Sequence, residues 1–236
     1  MNRAVKYLTA GSKPAFWAAL AKGVMPAVEH IQAIKTLHPK TLIDVGANKG
    51  QFSLIARYLF PDIEIHAFEP LEKERSLFSS VVHGNTKLYP VALAAETSTR
   101  EFFVASRRDS SSLLRIGTAQ KMAYGVEHDS TQTVSVVRFS DILNGTDLSR
   151  PVLMKIDVQG GELSVLLGAA ELLRHVDFIY CEASFVPLYD EQPLASQIVA
   201  YLLEKRFCLG GVFNQSVTRE FGPTQADFLF QTCTPG

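Results

Sequence analysis

Only three cysteines, Cys181, Cys208 and Cys233, occur in the 236 residues, an odd number at wide spacing. Two of them sit in apolar contexts, so buried free thiols in a reducing, cytoplasmic setting are expected rather than a disulfide framework. No apolar run approaches the ~18 residues that a bilayer span requires. The first thirty residues lack a continuous apolar stretch with a small-residue cleavage site, so no secretory leader is expected. Internal repeats and low-complexity tracts are also missing, which argues against a repeat array.

Large net charge is absent too, at −1 overall. With 47% apolar and 20% charged residues, the chain reads as one large globular domain with a small extension. The charge is uneven. Residues 1–40 carry Arg3, Lys6, Lys13, Lys22, Lys35 and Lys40 against Glu29 alone, a net of +5. These charges are dispersed rather than blocked, which favours solvated outer helix faces over a nucleic-acid or lipid surface. No nucleic-acid partner is expected, and a homo-oligomer stays open.

What is present is a strand–helix rhythm. Val28, Ile31, Ile34 and Leu37 recur at helical spacing over 27–37, and His38-Pro39 stops the run. The apolar run Thr41–Asp44 then predicts a strand, 52–60 a helix, 63–68 a strand, 71–82 a helix and 87–93 a third strand. Such alternation points to βαβ units and a parallel sheet. Between about 96 and 140 the rhythm breaks. Two strand-like runs, 100–105 and 132–137, flank a polar stretch with Arg107, Arg108 and Ser110–Ser112, which suggests a hairpin or lid over a site. Regular units resume at 152–157, 178–182 and a helix over 195–205. Runs at 207–212 and 226–231 close the chain as an antiparallel hairpin. The division expected is a basic helical extension at 1–39 and a ligand-binding domain at 40–236.

Four of the apolar strands end in an acid: Asp44, Glu69, Asp157 and Glu182. In an open α/β sheet the carboxyl ends of the strands form the ligand-binding edge, so these acids converge on one rim. The bland alternative is that some cap helices or pair with Lys49 and Lys155. After Asp44, the loop Gly46-Ala47-Asn48-Lys49-Gly50 enters a helix directly. It fails the G-x-G-x-x-G pattern of dinucleotide sites, which weakens a nicotinamide-dependent oxidoreductase reading. An acid before the loop suits a cationic ligand better than a diphosphate. S-adenosylmethionine, with its sulfonium, ammonium and ribose, fits: Asp44 and nearby backbone toward the amino-acid end, Glu69 toward the ribose.

The segments Asp44-Val45-Gly46-Ala47-Asn48-Lys49-Gly50-Gln51-Phe52-Ser53, Phe68-Glu69-Pro70 and Lys155-Ile156-Asp157-Val158-Gln159-Gly160-Gly161-Glu162-Leu163 together resemble the FkbM family of S-adenosylmethionine-dependent methyltransferases. Cys181-Glu182, Pro187-Leu188-Tyr189 and Asp227-Phe228-Leu229-Phe230 are similar to later blocks of that family. The resemblance spans roughly 40–231. It implies the class I methyltransferase fold, a Rossmann-like, mostly parallel seven-stranded sheet of order 3-2-1-4-5-7-6. Helices would cover both faces, with a β-rich insert after strand 3. It further implies O-methylation of a sugar or polyketide hydroxyl. Cofactor contacts would fall on Asp44, Gly46, Asn48, Gly50, Phe52, Glu69, Pro70 and Ala92.

Methyl transfer from a sulfonium needs alignment and exclusion of water, and a hydroxyl acceptor needs its proton removed. Asp157 and Glu182 are the candidate bases. Alternatively the same two acids hold a divalent cation, Mg²⁺ by the hardness of their oxygens, which acidifies the hydroxyl. Ser110, Ser111, Ser112, Gln159 and Tyr189 are candidates for contact with a small hydroxylated acceptor. A non-catalytic module that binds S-adenosylmethionine and acts through a partner is the third reading.

Overall fold

A computed structural model describes residues 3–233. The side chains of residues 3, 4 and 7 fall outside that description, and with them the charge of Arg3. Ten strands are described: β1 (Thr41–Val45), β2 (Glu64–Phe68), β3 (Thr86–Tyr89), β4 (Ala92–Leu93), β5 (Ser98–Ala105), β6 (His128–Val137), β7 (Val152–Ile156), β8 (Phe178–Ser184), β9 (Phe207–Thr218) and β10 (Gly222–Thr232). The α-helices are α1 (Arg3–Gly11), α2 (Trp17–Ala21), α3 (Ile31–Ile34), α4 (Gln51–Leu59), α5 (Glu72–Val81), α6 (Thr118–Tyr124), α7 (Glu162–Gly168) and α8 (Ala195–Glu204).

The main sheet runs β3-β2-β1-β7-β8-β10-β9. With the insert strands set aside, this is the 3-2-1-4-5-7-6 order that the resemblance implied. The pairs from β3 through β8 are parallel, and β10 lies antiparallel to both neighbours. Successive residues of β1 point to opposite faces, yet Leu42 and Ile43 are both fully buried. Each belongs to a different apolar cluster, one on each side of the sheet. Helices covering both faces explain why these strands read as unbroken apolar runs rather than alternating ones.

Two expectations about the elements change. The third strand was predicted to run to Leu93, but it ends at Tyr89. Pro90 follows with no amide proton to continue a ladder. Ala92–Leu93 instead pairs with β6, and β4-β6-β5 form a separate small sheet. The helix expected over 27–37 is a 3₁₀ turn at Val28–His30 leading into the short α3. The Ala27 amide donates to the Gln51 carbonyl at 3.1 Å, which ties this segment onto the start of α4. Ala10, Phe16, Ala19, Val28 and Ile34 pack in the same cluster as Leu42 and Ile55, so the N-terminal helices share the domain core.

The cysteine reading also needs correction. Cys208 and Cys233 form a disulfide with a Cα–Cα separation of 5.2 Å, and Cys181 alone remains a free, buried thiol. Cys208 is the second residue of the edge strand β9, and Cys233 directly follows β10. The antiparallel pairing of those strands brings together two residues that wide spacing seemed to separate.

Candidate functional site

The carboxyl ends of β1, β2, β7 and β8 open into one cavity of about 1350 Å³, lined also by residues of the insert and by residues between 23 and 30. That volume exceeds the roughly 300–1,000 Å³ of a typical single-ligand site, which leaves room for two molecules.

The loop after β1 is shaped by backbone contacts. Gly46 has φ +75°, and a Cβ there would lie 1.9 Å from the Asp157 carbonyl oxygen. No other residue fits at that crossing. Gly46 and Ala47 donate their amides to the Phe68 carbonyl, and the Asn48 amide donates to Glu69 Oε2 at 2.9 Å. Glu69 Oε1 accepts the Leu71 amide at 2.8 Å. Burial pushes the Glu69 carboxyl up to about 7, against the pull of those two amides. Asn48 Oδ1 is buried with no hydrogen-bond partner among the described residues.

Of the residues expected to hold the cofactor, Gly46, Asn48, Phe52, Glu69, Pro70 and Ala92 line the cavity. Asp44 and Gly50 do not. Asp44 is fully buried behind the wall, accepting from Ser53 Oγ at 2.6 Å and facing Lys155 Nζ at 3.3 Å. Its role is therefore structural: Lys155 also donates to the Gly46 carbonyl at 2.9 Å, so the pair props the loop from beneath. Burial alone would lower the Lys155 ammonium, but Asp44 and then Asp157 outweigh it and raise it above its ordinary value. Gly50, at φ +85°, lets α4 meet α5, since a Cβ there would lie 2.5 Å from Val82.

Asp157 and Glu182 stand at the ends of the adjacent strands β7 and β8, and one side chain joins them. Gln159 Nε2 donates to Asp157 Oδ1 at 2.7 Å and to Glu182 Oε2 at 2.9 Å. Gln225 Nε2 donates to the other Glu182 oxygen at 2.6 Å. Burial, with Asp157, Asp227 and Glu162 adding to it, pushes the Glu182 carboxyl well above the usual range. Glu162 itself is driven to about 7 by burial, although the Gly160 and Val158 amides donate to it.

Gln159 is held from outside. Tyr189 Oη donates to Gln159 Oε1 at 2.8 Å, which leaves Nε2 to face the carboxylates. Ser112 Oγ donates to the Gln159 carbonyl at 2.7 Å, bracing a backbone at φ +59°. Tyr189 also reaches the Ser110 carbonyl at 2.9 Å and receives Gln120 Nε2 at 3.2 Å. Ser112 and Tyr189, expected to touch an acceptor, thus lie behind the wall and act through Gln159. Ser110, Ser111 and Gln159 remain on the wall. The Ser111 hydroxyl, however, already accepts the Ala105 amide. The turn carrying these serines is anchored by Arg108, which grips the buried Glu74 at 2.9 and 3.0 Å.

The donor set does not suit a metal. The Gln159 amide, a donor, occupies the position between Asp157 and Glu182, and the Lys155 ammonium lies 3.7 Å from Asp157. No group of three or more potential ligands occurs among the described residues. The Mg²⁺ alternative is set aside on this geometry.

Sequence reasoning missed Lys155, His30, Asn214, Gln225 and Asp227 as cavity-lining residues. Lys155, named in the sequence only as a partner for strand-end acids, and Asp227, an acid in the apolar run before Phe228-Leu229-Phe230, carried signals that could have marked them.

A doubly covered parallel sheet with an antiparallel final pair, and a glycine loop and acid-tipped strands on one rim, defines the class I methyltransferase fold. The Methyltransferase FkbM domain model matches residues 44–209, and the chain belongs to that family. A putative O-methyltransferase from Klebsiella pneumoniae has a similar structure, with TM-score 0.51 and 13% identity over 98% of this chain and 97% of its own. A precorrin-6y C5,15-methyltransferase from Geobacter metallireducens GS-15 is similar at TM-score 0.47 and 13% identity, covering 86% and 85%. A putative rRNA-methylase from Clostridium thermocellum gives TM-score 0.48 at 9% identity, covering 92% and 97%. At such identities the likeness concerns the fold alone. No curated protein matches the sequence.

Proposed function

We propose that the protein is an S-adenosylmethionine-dependent O-methyltransferase acting on a hydroxyl of a sugar, polyketide or related small molecule. The observation that carries this reading is the Asp157–Gln159–Glu182 bridge, set beside a glycine loop in a cavity roomy enough for two molecules. Glu69 and the unpartnered Asn48 Oδ1 are suited to the hydroxyls and ammonium of a nucleoside-like cation, and Phe52, Pro70 and Ala92 supply apolar wall. When bound, that cofactor supplies an electrophilic methyl group on a sulfonium. What remains for the chain is to align an oxygen, exclude water and take its proton.

Glu182 is suited to the proton. Its carboxyl holds hydrogen more tightly than an ordinary glutamate, so its ionised form is the stronger base. Gln159 keeps Asp157 and Glu182 at a fixed separation without adding charge. Tyr189 Oη, which divides its one proton between the Gln159 carbonyl oxygen and the Ser110 carbonyl, favours the orientation that turns Nε2 toward the carboxylates.

Calorimetric titration with S-adenosylmethionine, followed by incubation of the labelled cofactor with a panel of hydroxylated acceptors, tests the reading. Binding at one site and labelled product that survives mild base, as an ether does, are the expected results. No heat from a folded sample overturns the reading, and binding of NADH in its place would redirect it to oxidoreduction.

A further inference from the structure

Asp227 and His30 both lie outside the matched family segment, and both line the cavity. Asp227 stands directly opposite Glu182 in the antiparallel β8–β10 pair, which puts the two side chains on the same face roughly 5 Å apart at Cβ. Its two oxygens have unequal surroundings. Oδ2 receives Asn214 Nδ2 at 2.9 Å and Tyr180 Oη at 3.0 Å, with His30 Nδ1 3.1 Å away. No hydrogen bond reaches Oδ1 among the described residues. His30 is in turn steadied by Tyr180 Oη at 2.9 Å and lies beside Glu29, which pairs with Lys6.

We propose that Asp227, clamped by His30 of the N-terminal segment, is a positioning residue that makes Glu182 the proton acceptor of the reaction centre. Three carboxylates crowd this rim: Asp157, Glu182 and Asp227. A proton released by the acceptor to this ionised group settles where ionisation is least supported. Asp227 has donors converging on one oxygen, and Asp157 has Lys155 within 3.7 Å. Glu182 has only the neutral amides of Gln159 and Gln225. The charges facing it are Lys155 on β7, Asp157 just after β7, Glu162 on α7 and Asp227 on β10, so the anions outnumber the one cation.

The directions of titration agree. Burial alone would raise the Asp227 carboxyl, but the hydrogen bond and charge of His30, then Asn214 and Tyr180, hold it below the usual range. Burial is the largest cause raising Glu182, and Asp227 follows Asp157 among the charges that add to it. Through His30 the N-terminal segment therefore does more than line the cavity: it helps decide which acid accepts the proton.

The role of Glu182 rests on the methyltransferase reading, but its titration can be followed without cofactor or acceptor. The experiment is a carbon-13 NMR titration of the glutamate and aspartate side-chain carboxyls in the full chain, with Glu182 assigned from Glu182→Gln. In the native protein the Glu182 midpoint should lie above the ordinary glutamate range. Asp227→Asn should lower it by roughly one pH unit, a tenfold change in proton affinity. His30→Ala should raise the midpoint of Asp227 itself. An unchanged Glu182 midpoint in folded Asp227→Asn overturns the proposal. Should that variant not fold, an unchanged Asp227 midpoint in His30→Ala overturns it instead. Calorimetry with S-adenosylmethionine on the same samples separates the two readings: lost binding in native protein removes the methyltransferase proposal and leaves the titration standing.

Discussion

The two halves of the rim are built differently. On the β1–β2 side the site is made mostly of main chain: Gly46 passes against the Asp157 carbonyl, and amides of Asn48 and Leu71 fill both oxygens of Glu69. On the β7–β8–β10 side it is made of side chains from remote segments, with Tyr189, Ser112 and Gln120 fixing Gln159 while His30 reaches Asp227. Local backbone shape suits a constant ligand such as a cofactor. A network of long-range side chains can be retuned for a varying one without disturbing the loop.

The contrast breaks first at Gly46. Gly46→Ala puts a carbon within bond-like distance of a carbonyl, so a loss beyond about 5 kcal/mol is expected, with little folded protein recovered. Circular dichroism and soluble yield check this. Next is Lys155→Met, which leaves Asp44 buried without its cation. Urea unfolding should show a loss of about 3–5 kcal/mol. Asp44→Asn alone, sparing Lys155, should lose loop order before it loses any direct ligand contact, because Asp44 does not line the cavity.

The remaining predictions concern the other half. Glu162 titrates near 7 when folded, above its value in the unfolded chain. Folding therefore takes up a proton between about pH 4.5 and 7. The stability this group contributes is fully present below about 4.5 and is lost as pH rises through about 7. Glu162→Gln removes the titration, so the difference in unfolding free energy between native and variant should drift by up to about 3 kcal/mol across that window. A pH-independent difference would contradict the assignment. Smallest in stability is Tyr189→Phe, which frees the Gln159 amide at a cost of about 1–2 kcal/mol. Methyl transfer should fall more than cofactor affinity, as read by single-turnover transfer beside calorimetry.

How much of this was legible in the sequence follows the same divide. Strand-end acids and the glycine loop are local patterns, so the parallel core could be read from spacing, whereas the strand order came only with the resemblance to the FkbM family. Asp44 misled because a strand-end acid looks the same whether it faces a ligand or a buried lysine one strand away, and only the β1–β7 register puts Lys155 there. Ser112 and Tyr189 were singled out as acceptor contacts, yet their hydroxyls turn inward to Gln159. The Cys208–Cys233 bridge and the His30–Asp227 clamp join residues 25 and 197 positions apart, pairings that no local periodicity encodes. Pro90 was visible in the sequence, and its missing amide should have ended β3 before Ala92.

The central claim is that the cofactor half and the proton-accepting half are separable, with Glu182 serving only the second. The most direct measurement is single-turnover methyl transfer by Glu182→Gln with S-adenosylmethionine prebound. Cofactor affinity should stay within about threefold of native, while transfer falls by roughly 10²–10⁴-fold with or without EDTA. Transfer at the native rate would contradict the account.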